Sequence, residues 1–451
     1  MVLGFLSLVW SPNHTASMGQ TVSLLIGEIY KAEARKLTYT IARAQNLPRY
    51  GDAEDVVQFA FERALETWQP DALPANPVAW LYQVARNKAM DLGRAKTKTT
   101  LVPDYDLIIE SHQNVGTSAN PTGLRQGEDT DLDATLAMAF VCCHPGLPPE
   151  SQLALALRTL FSLSVDEVAR ALCIKYDNAE KRLTRARKAA QSLGIMIEPP
   201  RDLSQRLPGV LRILYLCFNE GYYSRSKDPI RFDLCTDTLA LLNNLVQHPS
   251  CQSTEAYALL ALMCFHCARL GTRVAIKENT PNSEAGNEVK TAEAPDQEAL
   301  QLLSPAEQNR ANYNTTLITY GKYYLNQAAT GTHISAYHLE AAIAATHCAA
   351  PTWAETDWQL ISNYYQQLLQ INPSTMVRLG YWVARWKADG AAAVLPDFFA
   401  SATTMVDNYF YQSLGQRLME DLGELDKAEG YKQAAFALAL TPTERTFVTT
   451  T

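Results

Sequence analysis

Apolar residues along this chain recur at intervals of three and four. That period runs through almost every patterned segment and restricts the fold to packed helices. It covers 22–46, 53–68 and 77–95, resumes at 133–144 and 149–193, and continues as helix pairs from 203 to 440. No segment shows the period-two alternation of a half-buried strand, so the expected class is all-α. Breaks fall at Pro48 to Gly51, at Pro70 to Pro77 and at Pro199-Pro200. With 451 residues the chain exceeds the size of one hydrophobic core, and two to four domains are expected.

Composition narrows the function classes. Hydrophobic residues make up 47% and charged residues 19%, as in an ordinary soluble globular protein. The formal net charge is -8, so nucleic-acid binding requires local basic patches on an acidic background. Nine cysteines are neither dense nor regularly spaced. Several (Cys217, Cys264, Cys348) sit in apolar helical stretches and read as reduced, buried thiols, which points to a cytoplasmic protein. No apolar run reaches the length of a membrane span. The opening MVLGFLSLVW lacks a basic leader and a small-residue cleavage site, so a signal peptide is not expected, and Met18 is an alternative start.

Two stretches carry chemistry. The helix predicted at 53–68 opens with Asp52, Glu54 and Asp55, where the helix dipole favours acid. Val56, Val57, Ala60, Phe61, Ala64, Leu65 and Trp68 form its core face. In the next helix, Pro77 stands at the start, where its missing amide costs nothing. Leu81, Val84, Ala85 and Leu92 point inward. Arg86, Lys88, Arg94, Lys96 and Lys98 oppose Asp91 alone, a local balance of +4. Asn87 offers an amide to base edges, and Trp80 and Tyr82 offer rings. Cations interleaved with aromatics suit a melted strand, whose bases stack and whose phosphates attract charge. A solvated basic helix is the plainer alternative.

Residues 149–190 read as helix, helix, short turn, helix. Ser164 with Glu167 three residues on forms a capping box for VDEVARAL. Cys173-Ile174 makes the turn, where glycine is usual, and Asp177 or Asn178 caps the last helix. That helix holds Lys181, Arg182, Arg185, Arg187 and Lys188. A short helix, a tight turn and a basic helix make a helix-turn-helix, whose second helix enters the major groove.

GDAEDVVQFAFERALETW followed by PVAWLYQVARNKAMDLGR resembles region two of extracytoplasmic-function (ECF) sigma factors of the sigma-70 family. The helix-turn-helix, coming after an acidic linker, resembles region four. AFVCCHPGLPPESQLALALR resembles the subgroup that carries a large C-terminal TPR-like domain. The resemblance covers the chain from Met18, except the insertion near 272–300. It implies an RNA polymerase sigma factor, and not an enzyme, that directs core polymerase to promoters and starts transcription. It implies that Asp52, Glu54, Asp55 and Gln58 face the β′ clamp helices. It also implies that Asn87 and the loop Gln69–Pro77 hold a flipped base of the minus-ten element. Trp80, Arg86, Lys88 and Arg94 complete that DNA-binding set. Lys175, Tyr176, Asn178, Lys181, Arg182 and Arg185 approach the minus-thirty-five element, with the β flap as the partner of region four.

The expected organisation is an unstructured extension over 1–20, region two over 21–100 and an acidic linker over 101–132. Region four follows over 133–195. A TPR-like domain spans 200–451, with a disordered insertion at about 272–300. The linker carries Asp104, Asp106, Glu110, Glu128, Asp129 and Asp131 against Arg125 alone, and is expected to touch the basic helices when polymerase is absent. In the C-terminal half Leu422, Gly423, Ala428, Tyr431 and Ala434 have TPR spacing, a pattern that builds concave surfaces for protein partners. The extension is expected to regulate activity through an unknown protein partner. Cys142, Cys143 and His144 are adjacent and chelate poorly, and Cys264, His266 and Cys267 lie in an apolar helix, so no metal or other cofactor is expected. Glu220, Tyr337 and His338 accompany no activated nucleophile or phosphate loop. Two other readings stay open: a helix-turn-helix regulator with a TPR sensor, and a repeat scaffold.

Overall fold

The computed structural model describes residues 18–44, 50–69, 72–97, 134–172, 174–195, 203–224, 230–276, 300–439 and 442–450. The acidic linker, almost all of the N-terminal extension and residues 277–299 of the insertion lie outside the described residues. The described chain is helical except for one short strand pair, and it divides into two compact units, Met1–Val210 and Leu211–Thr451.

In the first unit, α1 (Met18–Ala44), α2 (Tyr50–Thr67) and α3 (Pro77–Thr97) pack on one another. Val22, Ile26, Leu37, Val56, Phe61 and Leu81 are central to their shared core. The buried positions of α2 run Ala53, Val56, Val57, Ala60, Phe61, Ala64, the stripe a 3.6-residue period dictates. Leu65, expected on that face, is 56% exposed. It sits just past the edge of the stripe that Ala64 and Trp68 continue. Asn76 starts α3 by accepting from the Ala79 amide (3.0 Å), with Pro77 in the first helical position as expected.

Helices α4 (Ala134–Cys142), α5 (Pro149–Phe161), α6 (Val165–Ala171) and α7 (Tyr176–Ser192) complete the unit. Eight of the nine residues of α4 are buried. A helix that is apolar all round needs cover on more than one side, and α4 finds it between α5 and α1. Correspondingly α1 buries a second stripe, Thr38, Tyr39 and Ala42, beside the Leu37 and Ile41 stripe of its own bundle. The two expected DNA modules therefore form one packed unit, where the sequence suggested two bodies joined by a linker.

The second unit begins within α8 (Leu207–Tyr222) and continues with α9 (Phe232–Gln247) and α10 (Thr254–Arg269). Strands β1 (Val274–Ile276) and β2 (Leu300–Leu302) pair antiparallel, with Ala275 opposite Gln301. This corrects the expectation of no strand. Three-residue strands are too short to show alternation. There follow α11 (Thr315–Ala328), α12 (Ala336–Ala349), α13 (Trp358–Ile371), α14 (Thr375–Asp389), α15 (Leu395–Ala400), α16 (Ala402–Met405), α17 (Tyr409–Asp421), α18 (Leu425–Leu438) and α19 (Pro442–Thr450). Three helix pairs each meet at a glycine against an aromatic ring: Gly321 on Phe265, Gly380 on Tyr365 and Gly415 on Tyr431. A β-carbon at any of the three would lie 2.5–2.7 Å from ring carbons, so only glycine permits the approach. Gly423, at φ +75°, turns the chain between α17 and α18.

Candidate nucleic-acid interface

Within the first unit the sequence-predicted residues fall on three surfaces. The first is the start of α2. Asp52 lies in its first turn and is half-buried, and Asp55 is exposed. Gln58 is exposed, its amide donating to Glu62 Oε1 (2.9 Å). Glu54 is engaged: its carboxylate takes an ion pair from Arg187 of α7 at 2.9 Å. The same carboxylate, after burial and the neighbouring Cys143, helps push the buried Cys142 thiol well above its ordinary range.

The second surface is α3. Gln83, Arg86 and Asn87 lie on one outward stripe, and the Gln83 amide donates to Asn87 Oδ1 (3.0 Å). Arg86 is exposed. Lys88 turns back over the Phe59 ring, 4.5 Å from its centroid, a cation–π contact that holds its charge near the bundle. Trp80 is half-buried and packs edge-on against Trp68 at 5.4 Å, and Tyr82 packs on the same core. Both rings thus serve the bundle as well as facing outward. Arg94 shares the helical register of Asn87, but its side chain lies outside the described residues, as do those of Lys96 and Lys98.

The third surface is the helix-turn-helix. The expected capping box is formed: the Ser164 amide donates to Glu167 Oε2 (2.6 Å), and the Glu167 amide to Ser164 Oγ (3.2 Å). The Ile174 amide, donating to the Ala169 carbonyl (2.9 Å), closes the turn, and Cys173 lies outside the described residues. Helix α7 starts earlier than Asp177 or Asn178 would cap it. Lys175 is the cap residue and makes no side-chain cap bond. Asp177 instead lies in the first turn, where the dipole favours it. Lys175, Tyr176, Asn178, Lys181 and Arg185 are exposed, Tyr176 to 51%. Ala179, Leu183, Ala186 and Ala190 seat the opposite face. Arg182 pairs with Glu150 of α5 at 2.9 Å. A helix with basic and aromatic groups on its outer face and alanines inward suits the major groove.

The cysteines weighed as metal ligands are free thiols. Cys142 and Cys143 are buried, Cys143 pushed up to about 12 chiefly by burial. His144 Nδ1 accepts from the Gly146 amide (3.0 Å). Sequence reasoning missed the contact of α7 with α2. Glu54 and Arg187 lie far apart in sequence, and an ion pair of that kind leaves no local pattern to read. No helix among the described residues is long and apolar enough to cross a membrane.

Comparison with known proteins adds three family matches. Sigma-70 region 2 matches residues 29–99, sigma-70 region 4 matches 137–189, and a family of unknown function, DUF6596, matches 206–288. Uncharacterized protein R00370 of Rhizobium meliloti is 30% identical over 400 residues, covering 88% of each chain. The ECF RNA polymerase sigma-E factor of Escherichia coli strain K12 is 28% identical over 184 residues, 38% of this chain and 92% of its own. The factor of the same name from Haemophilus influenzae is 23% identical over 180 residues, 38% of this chain and 94% of its own. No solved structure matches the chain.

Proposed function

The chain belongs to the ECF branch of the sigma-70 family of RNA polymerase sigma factors, with a long additional C-terminal region, and from that premise we propose how its surfaces divide the work. As a sigma factor it binds core polymerase and promoter DNA. In our reading, Asp52, Glu54, Asp55 and Gln58 meet the β′ clamp helices. Arg86, Asn87, Lys88, Arg94 and Trp80, with the loop 69–77, open the minus-ten element and hold an extruded base. Opening costs a few kcal/mol per unstacked base, which a pocket for that base recovers selectively. Lys175, Tyr176, Asn178, Lys181, Arg182 and Arg185 read the minus-thirty-five duplex, and the helix-turn-helix segment sits on the β flap.

The protein works where the polymerase does, in the cytoplasm. It carries out no reaction of its own. The unit from Leu211 onward acts as a regulatory, TPR-like domain for a protein partner. The observation that supports this reading best is the coexistence of an acidic helix start, an outward stripe on α3 that carries Arg86 and Asn87, and a basic helix-turn-helix in one unit. A plain duplex-binding regulator needs only the last of these. Run-off transcription with core polymerase and the purified chain tests it. Asp55→Arg should abolish binding to core polymerase and run-off product while leaving thermal unfolding unchanged. A variant that co-purifies with core polymerase at the wild-type level would refute the assignment of α2.

A further inference from the structure

Helix α12 carries a carboxylate that the chain's own groups leave without a cation. Glu340 is half-buried, and tyrosines surround it. Tyr215 of α8 and Tyr337 of α12 present two tilted rings, with centroids 5.4 Å apart and planes at 52°. Tyr365 of α13 is the third, and burial and then the Glu340 charge push its hydroxyl up to about 12. The Asn219 amide donates to the Tyr215 oxygen, and the Tyr215 hydroxyl donates to Glu340. That bond fills one place on a carboxylate with about four. The nearby cations are engaged elsewhere. Arg212 is exposed and acts on Tyr337. His338 is kept neutral by burial, its Nδ1 accepting from the Ser335 amide (3.1 Å) and its Nε2 donating to the Ala328 carbonyl (3.3 Å). His333 lies 3.7 Å from Glu255, the acid at the start of α10. Among the described residues no Lys, Arg or His pairs with Glu340, and burial pushes its carboxyl up to about 7. A glutamine would fill this place and keep the Tyr215 bond without desolvating a charge.

We propose that Glu340, with the rings and hydroxyls of Tyr215 and Tyr337, is a binding site for a primary ammonium group, carried by a small amine or by a lysine side chain. The chemistry selects that cation. The carboxylate supplies the opposite charge, and tyrosine ring faces attract a cation lying over them. An ammonium is a compact charge whose three donors rotate to meet a carboxylate and hydroxyl oxygens. A guanidinium fits less well. Its planar fork pairs with both oxygens of a carboxylate, and the Tyr215 hydroxyl already holds Glu340. The site lies wholly within the second unit, on α8, α12 and α13. It owes nothing to how the first unit meets polymerase or promoter, and it stands whether or not the second unit regulates transcription.

The test titrates the full-length chain with n-butylammonium and with Nα-acetyl-lysine methylamide, followed by saturation-transfer NMR, with n-butanol as the uncharged control. At pH 8 at least one ammonium probe should bind and butanol should not. The ionised fraction of a carboxyl titrating near 7 rises from roughly a tenth at pH 6 to nine-tenths at pH 8, so affinity should rise about tenfold across that range. Glu340→Gln should weaken binding at least about tenfold at pH 8 and flatten the pH profile. Thermal unfolding of the variant confirms that it is folded. Tyr215→Phe, which removes the hydrogen bond to the carboxylate, should move the midpoint of the profile upward. Binding of both probes supports recognition of the ammonium group itself. Binding of the blocked lysine alone supports a peptide source, and of butylammonium alone a small-amine source. Failure of both probes at pH 8 would overturn the site, as would butanol binding as well as butylammonium. A flat wild-type profile, or Glu340→Gln with wild-type affinity, would do the same.

Discussion

The two units differ in where most of their described charge is put to use. In the first, Lys175, Lys181, Arg185, Arg86 and Asp55 stand in solvent, on helices seated by alanine and leucine. In the second, ionisable groups go inside. Arg269 is buried, donating to Gln308 Oε1 (3.2 Å), and Arg273 lies over the Tyr222 ring at 3.7 Å. Arg310 donates to the carbonyls of His347 (2.9 Å) and Ala350 (3.0 Å) and to Thr356 Oγ1 (3.1 Å). Burial, with Arg269 and Arg310 nearby, holds the His347 imidazole down to about 3, so it stays neutral. Exposed charge is available to a partner and contributes little to stability. Buried charge is committed to the chain's own backbone, and removing it leaves carbonyls without donors. The same residue type thus makes mainly a binding surface in one unit and mainly a structural strut in the other, although Arg35, Arg158 and Arg206 of the first unit also bond backbone carbonyls.

The contrast breaks most visibly at Arg310. Arg310→Ala takes the side-chain donor from two carbonyls and from the Thr356 hydroxyl, which keeps its bond to the Thr352 carbonyl, and should cost about 2–4 kcal/mol of stability, seen as a lower urea midpoint of the second unit's transition. If the midpoint does not move, the strut reading is wrong.

Next in size is the pair on α7. Arg182→Ala with Arg185→Ala should weaken specific promoter binding by about 1–3 kcal/mol while leaving unfolding within about 0.5 kcal/mol of wild type. Binding by the holoenzyme in gel shift, beside thermal unfolding of the free chain, separates the two effects. A large loss of stability would place these arginines with the struts.

The smallest expected effect sharpens the comparison through pH. The Glu340 carboxyl is pushed up to about 7 by burial, only partly offset by the hydrogen bond from Tyr215. Tyr337 and Tyr365 add no cation to counter this. A carboxyl raised above its unfolded value of 4.5 favours the protonated folded form. Its contribution is full below about pH 4.5 and is lost as pH rises through 7. Glu340→Gln should remove that slope and stabilise the second unit by roughly 1–2 kcal/mol at pH 8 relative to wild type. Parallel stability curves from pH 5 to 8 would show that Glu340 is not the titrating group.

How much of this was legible depends on how local the physics is. The Ser164–Glu167 box is written in four residues, and so is the Asn76-Pro77 start of α3. The acidic edge and the basic helix are contiguous runs, and both appear where sequence puts them. Trp80 was harder, because the ring it packs against, Trp68, belongs to the preceding segment. The packing of α4 on α1 and of α7 on α2 was out of reach for a related reason. Its stripe on α1 is built from threonine, tyrosine and alanine, which carry little hydrophobic signal, and Glu54 looks alike whether solvent or Arg187 faces it. The arginine struts were invisible too, since their partners are carbonyl groups that every residue possesses.

The β1–β2 pair has a practical use. Its register, Val274 with Leu302 and Ile276 with Leu300, pins the two ends of the intervening segment side by side. Once ends are pinned, doubling the length between them adds only about 0.6 kcal/mol of closure entropy. A fluorescent protein or an affinity tag spliced between residues 276 and 300 should therefore leave the flanking helices in place. It would give a handle for following this chain in a living cell without touching either terminus.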